Sequence, residues 1–280
     1  MNRHLAAYIQ SFKVKEEFWY AYVIEAITVT LLTLLFVTFG RLLNSRAMAI
    51  SGGKSVEELK AALIAGTVEA NQAFLTNIKV FTFLLVLGTI VVVMVALLLW
   101  SLSQALVWAA VLKTSFSRKR YWRWNGLTLV VVLLIIPYFL SFALIKSLAN
   151  LIIPSGYQQA SFIIGNSISF IFLMAYLLFL CGFSSVFAQR YKVWESLGHT
   201  FRLFKARWNS VWKMFLLALG TGLLLSVILA YMQRWAAWNQ FYLVQIAFFL
   251  LYFSWLRFYL VRVIHEPASH LSTHPPAAKV

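Results

Sequence analysis

Val80–Leu112 reads VFTFLLVLGTIVVVMVALLLWSLSQALVWAAVL, and no charged residue interrupts it. A helix of about 18 or more such residues crosses the ~30 Å hydrocarbon core of a bilayer. Strands of a membrane barrel would instead alternate in polarity over about ten residues. This segment does not alternate, so it specifies a transmembrane helix. Leu127–Ala149, with Lys146 near its end, and Ser161–Ala188 read the same way. Working outward from these runs gives six spans, at about 18–40, 80–112, 127–149, 161–188, 214–232 and 240–262. The fold class is all-α, a polytopic transmembrane helical bundle. Residues 1–264 form one membrane domain, and 265–280 form a mobile tail that holds His265, His270 and His274 among three prolines.

Composition agrees. The chain is 62% hydrophobic and 11% charged, against about 25% charged in a soluble domain. Phe18–Gly40 is far longer than the 7–15-residue core of a signal peptide, so it reads as a retained first span. Cys181 is the only cysteine, which excludes an intramolecular disulfide.

The net charge of +16 sits in the loops between apolar runs. That distribution points to anionic lipid and to topogenic signalling, not to nucleic acid. Lys and Arg total 24. Seventeen fall on the side of the N-terminus, the second and fourth loops and the C-terminal end, Arg257 included; seven fall on the other side. Basic loops face the cytoplasm, so both termini are expected there.

His199–Lys213, HTFRLFKARWNSVWK, joins spans four and five on that side. Val193, Trp194, Leu197, Phe201, Phe204 and Trp208 recur at helical spacing, with His199, Arg202 and Lys205 off the stripe. Such a helix lies in the headgroup plane with its apolar face down. Trp122, Arg123, Trp124, Arg202, Lys205, Arg207 and Trp208 are the expected headgroup contacts, because each side chain joins an apolar body to a polar end. Phe12-Lys13-Val14-Lys15 echoes Phe204-Lys205-Ala206-Arg207, and Arg123-Trp124-Asn125 echoes Arg207-Trp208-Asn209. These echoes suggest three repeated hairpins, each begun by a basic, aromatic collar.

The outer loop Arg41–Lys79 is the longest. Ser51-Gly52-Gly53 breaks the chain there, and Ser55 with Glu58 has capping-box spacing. A helix should follow and run into span two. Small residues at four-residue steps mark candidate packing stripes: Ala218, Gly222, Ser226 and Ala230; Ser161, Gly165 and Ser169; Ser101, Ala105 and Ala109. Pro137 should kink span three.

Glu25 lies seven residues inside span one, where an ionisable group costs roughly 2.5–3.5 kcal/mol at mid-helix. It has two readings. It is a proton or cation site facing the bundle, or an interfacial carboxylate paired with a Lys or Arg of the collar. Asn150, Asn166, Gln104 and Gln245 could add polar lining but form no spaced constellation. Gly52-Gly53-Lys54-Ser55 lacks the upstream glycine of a phosphate loop, where Met48 stands. Gly182-Phe183-Ser184-Ser185 has no histidine within a span to serve as base. The chain has no Asp, which excludes chemistry built on clustered aspartates. No catalytic residue, cofactor or metal ligand is expected.

The segment Glu195-Ser196-Leu197-x-x-Thr200-Phe201-Arg202-Leu203-Phe204-x-x-Arg207-Trp208 resembles a feature of one group of six-span prokaryotic membrane proteins. These are similar to the membrane domain attached to some glycerophosphodiester phosphodiesterases. The resemblance implies the six-span layout and carries over no catalytic residue. The expected function is a non-enzymatic bundle that binds anionic lipid, a membrane-protein partner or a second copy. The alternative is a small-solute or ion permease using Glu25.

Overall fold

The structure, a computed structural model, describes residues 8–9, 11–12, 16–152, 158–234 and 238–265. The tail 266–280, with His270 and His274, lies outside the described residues, as do the side chains of Asn150, Ser161 and His265. The described residues form eight helices: α1 (Glu16–Ser51), α2 (Val56–Ala65), α3 (Val68–Val111), α4 (Arg118–Ile152), α5 (Gln158–Arg190), α6 (Val193–Ala206), α7 (Trp208–Gln233) and α8 (Trp238–His265). Six are long and apolar enough to cross a membrane: α1, α3, α4, α5, α7 and α8. The protein is an all-α, multi-pass membrane bundle.

Two compact units divide the chain, 27–102 in one and 1–26 with 103–280 in the other. The smaller unit holds most of α1, all of α2 and most of α3. At 1.5 Å per residue, the 36 residues of α1 and 44 of α3 extend about 54 and 66 Å. Both exceed the ~40–45 Å of a whole bilayer, so part of each lies beyond the hydrocarbon. The expected long outer loop is therefore mostly helix. Arg41 and Arg46 do not stop α1, because arginine and the Leu and Ala around it are good helix formers. Gly52 and Gly53 break it, at φ of 60° and 76°, where a side chain would be strained. Ser55 then caps α2. Its hydroxyl accepts from the Glu58 N–H at 3.3 Å, and Glu58 Oε2 accepts from the Ser55 N–H at 2.8 Å. These bonds hold the Glu58 carboxyl below its ordinary range. α2 does not run into the second span as expected. Gly66 is extended at its end, with φ −78° and ψ 157°.

In the larger unit the core gathers at one end. Phe18, Ala21 and Glu25 are buried on α1; Ala105, Val107 and Trp108 on α3; Trp124, Leu127 and Thr128 on α4; 181–188 on α5; Val211, Met214 and Ala218 on α7; 252–257 on α8. This is the end that carries the basic connections. The far halves of α4 and α7 are largely exposed, as a lipid-facing surface is. Over their apolar windows α5 and α8 are about half buried, at 56% and 50%, which makes them the central helices. The packing stripes hold where the core is and fail beyond it. Ala218 and Gly222 are buried, and the Tyr252 hydroxyl donates to the Ala218 carbonyl at 2.8 Å, whereas Ser226 and Ala230 are exposed. α4 continues through Pro137, which is exposed.

Two turns close this end. At the end of α3 the Thr114 N–H donates to the Ala109 carbonyl at 2.8 Å and the Lys113 N–H to the Ala110 carbonyl at 3.2 Å. That is a Schellman cap with Lys113 at φ 54°. Between α5 and α6 the reversal is made by Tyr191, also at φ 54°.

Candidate functional site

The burial stripe of α1 runs Phe18, Ala21, Glu25, at three- and four-residue steps. The stripe of α8 runs Leu250, Phe253, Ser254, Arg257, Leu260 and Ile264. Where these faces meet, Glu25 and Arg257 form an ion pair, with side chains 2% and 1% exposed. Ser254 Oγ donates to Glu25 Oε2 at 2.8 Å, and Arg257 Nη2 donates to Gln104 Oε1 of α3 at 3.0 Å. The guanidinium stands over the Phe253 ring at 4.1 Å and near the Trp108 ring at 5.9 Å. Cys181 of α5 is 1% exposed and lies beside Arg257. One polar centre thus ties the first, second and last spans together, with the fourth at its side.

The pair has a definite energetic logic. A lone buried charge is costly, and paired charges recover that cost only with good geometry and extra hydrogen bonds. Here Oε2 accepts the Ser254 hydrogen bond, while Oε1 faces Arg257 Nη1 as an ion pair without a hydrogen bond to it. Around them the buried Ser101 and Ser103 hydroxyls, Gln104 Nε2 and Trp108 Nε1 have no hydrogen-bond partner among the described residues.

Arg257 corrects the sequence reading. It was counted with the loop charges, yet it is buried inside the sixth span, which leaves sixteen basic residues on that side. It is also the partner of Glu25, in place of a Lys or Arg of the collar. The signal was present, since Arg257 stands inside an apolar run, FFLLYFSWLRFYLV at 248–261.

The basic, aromatic end lies next to this centre in sequence, on α4, α6 and α7. α6 folds back along α5. Ser196 and Thr200 are fully buried, and a Cβ placed on Gly182 would fall 2.6 Å from the Phe204 ring and 3.6 Å from the Thr200 methyl. Any larger residue at 182 would have to displace the Phe204 ring. The expected membrane-facing stripe therefore splits. Val193, Leu197 and Phe204 pack on the protein core. Trp194, Phe201 and Trp208 point outward, at 72%, 57% and 63% exposure.

The expected headgroup residues divide in the same way. Trp122, Arg123, Arg202 and Lys205 are exposed, as is Trp208, which stacks on Trp212. Arg123 Nη1 reaches the Tyr191 carbonyl at 3.5 Å, and the Arg120 guanidinium covers the Tyr191 ring at 5.0 Å. Trp124 is a correction. It is 2% exposed and packs edge-on against Phe187, with centroids 5.0 Å apart. It is part of the core and cannot touch a headgroup. Arg207 is committed elsewhere in part, since its Nη1 donates to the Ile264 carbonyl at 2.6 Å and so caps the end of α8.

Other sequence candidates resolve into structure. Gly52-Gly53-Lys54-Ser55 is a helix break followed by a capping box. Ser184 and Ser185 are buried within α5. Among the described residues no group of three or more His, Cys, Asp or Glu could hold a metal ion.

Comparison with protein-family models, with curated proteins and with solved structures finds no match. What the chain itself establishes is the coarse assignment, an integral membrane protein with six apolar helices able to span the bilayer.

Proposed function

We propose that the protein is a non-enzymatic, lipid-interacting bundle of a prokaryotic cytoplasmic membrane, with both termini cytoplasmic. The observation that carries this reading is the exposure of Trp194 and Phe201 on α6 and of Trp208 at the start of α7, with exposed Arg202 and Lys205 on α6. Aromatic rings at this density favour the headgroup–acyl boundary, and the cations beside them favour anionic headgroups. The same surface would also suit a membrane-protein partner or a second copy at the bilayer surface.

The permease reading finds no observation in its favour. Glu25 is sealed from solvent and engaged by Arg257 and Ser254, which suits a clasp between spans.

Native mass spectrometry of the full chain from mixed bilayers tests the proposal. Arg202→Glu with Lys205→Glu should strip most retained phosphatidylglycerol while leaving the thermal midpoint unchanged. Arg207 is left intact because it caps α8. Equal retention of anionic and zwitterionic lipid by the unaltered chain contradicts the proposal.

A further inference from the structure

Gln104 and Trp108 stand one turn apart on α3, and residues four apart on a helix are neighbours. Both side chains meet the same guanidinium. Gln104 Oε1 accepts from Arg257 Nη2 at 3.0 Å, and the Trp108 ring centroid lies 5.9 Å from the Arg257 Cζ. The bond to Arg257 fixes which end of the amide is oxygen, so the other end, Nε2, carries two N–H groups. Gln104 and Trp108 are 7% and 1% exposed, yet Gln104 Nε2 and Trp108 Nε1 have no partner among the described residues. On the neighbouring nitrogen of the guanidinium, Glu25 Oε1 faces Nη1 without a hydrogen bond. Two unbonded donors and an unbonded acceptor are thus held around one buried cation.

Buried polar groups are almost always bonded, to protein or to ordered water. The charges here select what can complete this set. An anion would accept from the two N–H donors but would meet the Glu25 carboxylate. A cation would suit the carboxylate but would meet Arg257 and the same donors. A small neutral molecule that both accepts and donates satisfies all of them. We propose that the clasp is a water site, in which an enclosed water accepts from Gln104 Nε2 and Trp108 Nε1 and donates to Glu25 Oε1. Three polar partners are what a buried water typically has. A buried ion pair recovers its desolvation cost only when its remaining lone pairs and protons are bonded, and the water supplies bonds that the side chains leave unmade. With Glu25 and Arg257 at 2% and 1% exposure, the position is enclosed and is no path across the bilayer. The proposal stands apart from the lipid-interacting reading.

The experiment is X-ray hydroxyl-radical footprinting of the full chain in nanodiscs, read by mass spectrometry at each tryptophan. Radiolysis turns a held water into a radical in place, and the radical marks the side chain it touches. Trp124 is the dry control, because it is 2% exposed and packs against Phe187. The expected result is oxidation of Trp108 several times faster than of Trp124. After rapid mixing into water enriched in heavy oxygen, Trp108 should still take up ordinary oxygen from the water it holds. Gln104→Leu, which removes the amide, should bring Trp108 down to the Trp124 rate. Equal rates at the two rings of the unaltered chain would overturn the proposal, whether or not that variant folds. So would heavy oxygen alone at Trp108, since bulk water would then reach the ring by opening of the bundle. An unchanged Trp108 rate in a folded Gln104→Leu chain would overturn it as well.

Discussion

Glu25 and Arg257 show how a residue's partner decides its meaning. Each is almost fully buried, so removing one leaves the other charged and unpaired. That costs about 3–5 kcal/mol, while replacing both by residues of similar size is often close to neutral. Glu25→Gln and Arg257→Gln should each lower stability by that amount in detergent. The double substitution should recover much of the loss. Denaturant unfolding of the four chains as a double-mutant cycle measures the coupling, and additive losses contradict the pairing. Cys181, buried beside Arg257, supplies a second readout, because either single change should speed its labelling by a maleimide. Sequence made Glu25 visible through the cost of a charge at depth. Arg257 carried a signal too, standing within the apolar run 248–261, but a basic residue near the end of a span looks like a loop anchor until its partner is known. Trp124 was misplaced for a related reason. Two residues apart on a helix, Trp122 and Trp124 point to nearly opposite sides, so a collar could use only one of them.

At the scale of elements, α6 was legible from its period and its position between two spans. The amphipathic pattern announced a helix with one wet and one apolar side. It could not say that part of the apolar side belongs to α5, because that depends on Gly182 admitting Phe204. Gly182→Ala must push the ring aside, and should destabilise the protein by about 1–3 kcal/mol, the usual cost of overpacking. Gly198→Ala is the control. A Cβ at Gly198 meets nothing within 4 Å, so alanine there should be neutral, or stabilising by up to about 1 kcal/mol through helix propensity. Thermal unfolding in detergent compares the two, and equal effects contradict the docking of α6 on α5. The lengths of α1 and α3 were not legible. Apolar runs mark where a helix enters lipid, and polar helix formers such as those at 41–51 carry it further without a hydropathy signal.

Across the whole molecule, the six-span class was fixed by length and hydropathy, since uncharged runs of this length have few other stable homes. Where the core sits was not. Lipid and protein interior are equally apolar, so composition cannot distinguish a Leu facing α8 from one facing lipid. In the larger unit the core lies at the end bearing the basic connections, around α5 and α8. The clasp and the docked α6 are built there, while the far halves of α4 and α7 are exposed. That arrangement suits the proposed contact of α6 with a membrane surface. The depth of α6 tests this most directly. Spin labels attached to Trp194→Cys and Phe201→Cys, each in a chain with Cys181→Ala, are placed in bilayers containing anionic lipid. The account predicts both labels about 5–10 Å into the headgroup–acyl boundary, reached by oxygen and shielded from a water-soluble nickel complex. Labels open to the nickel complex at both positions would contradict it.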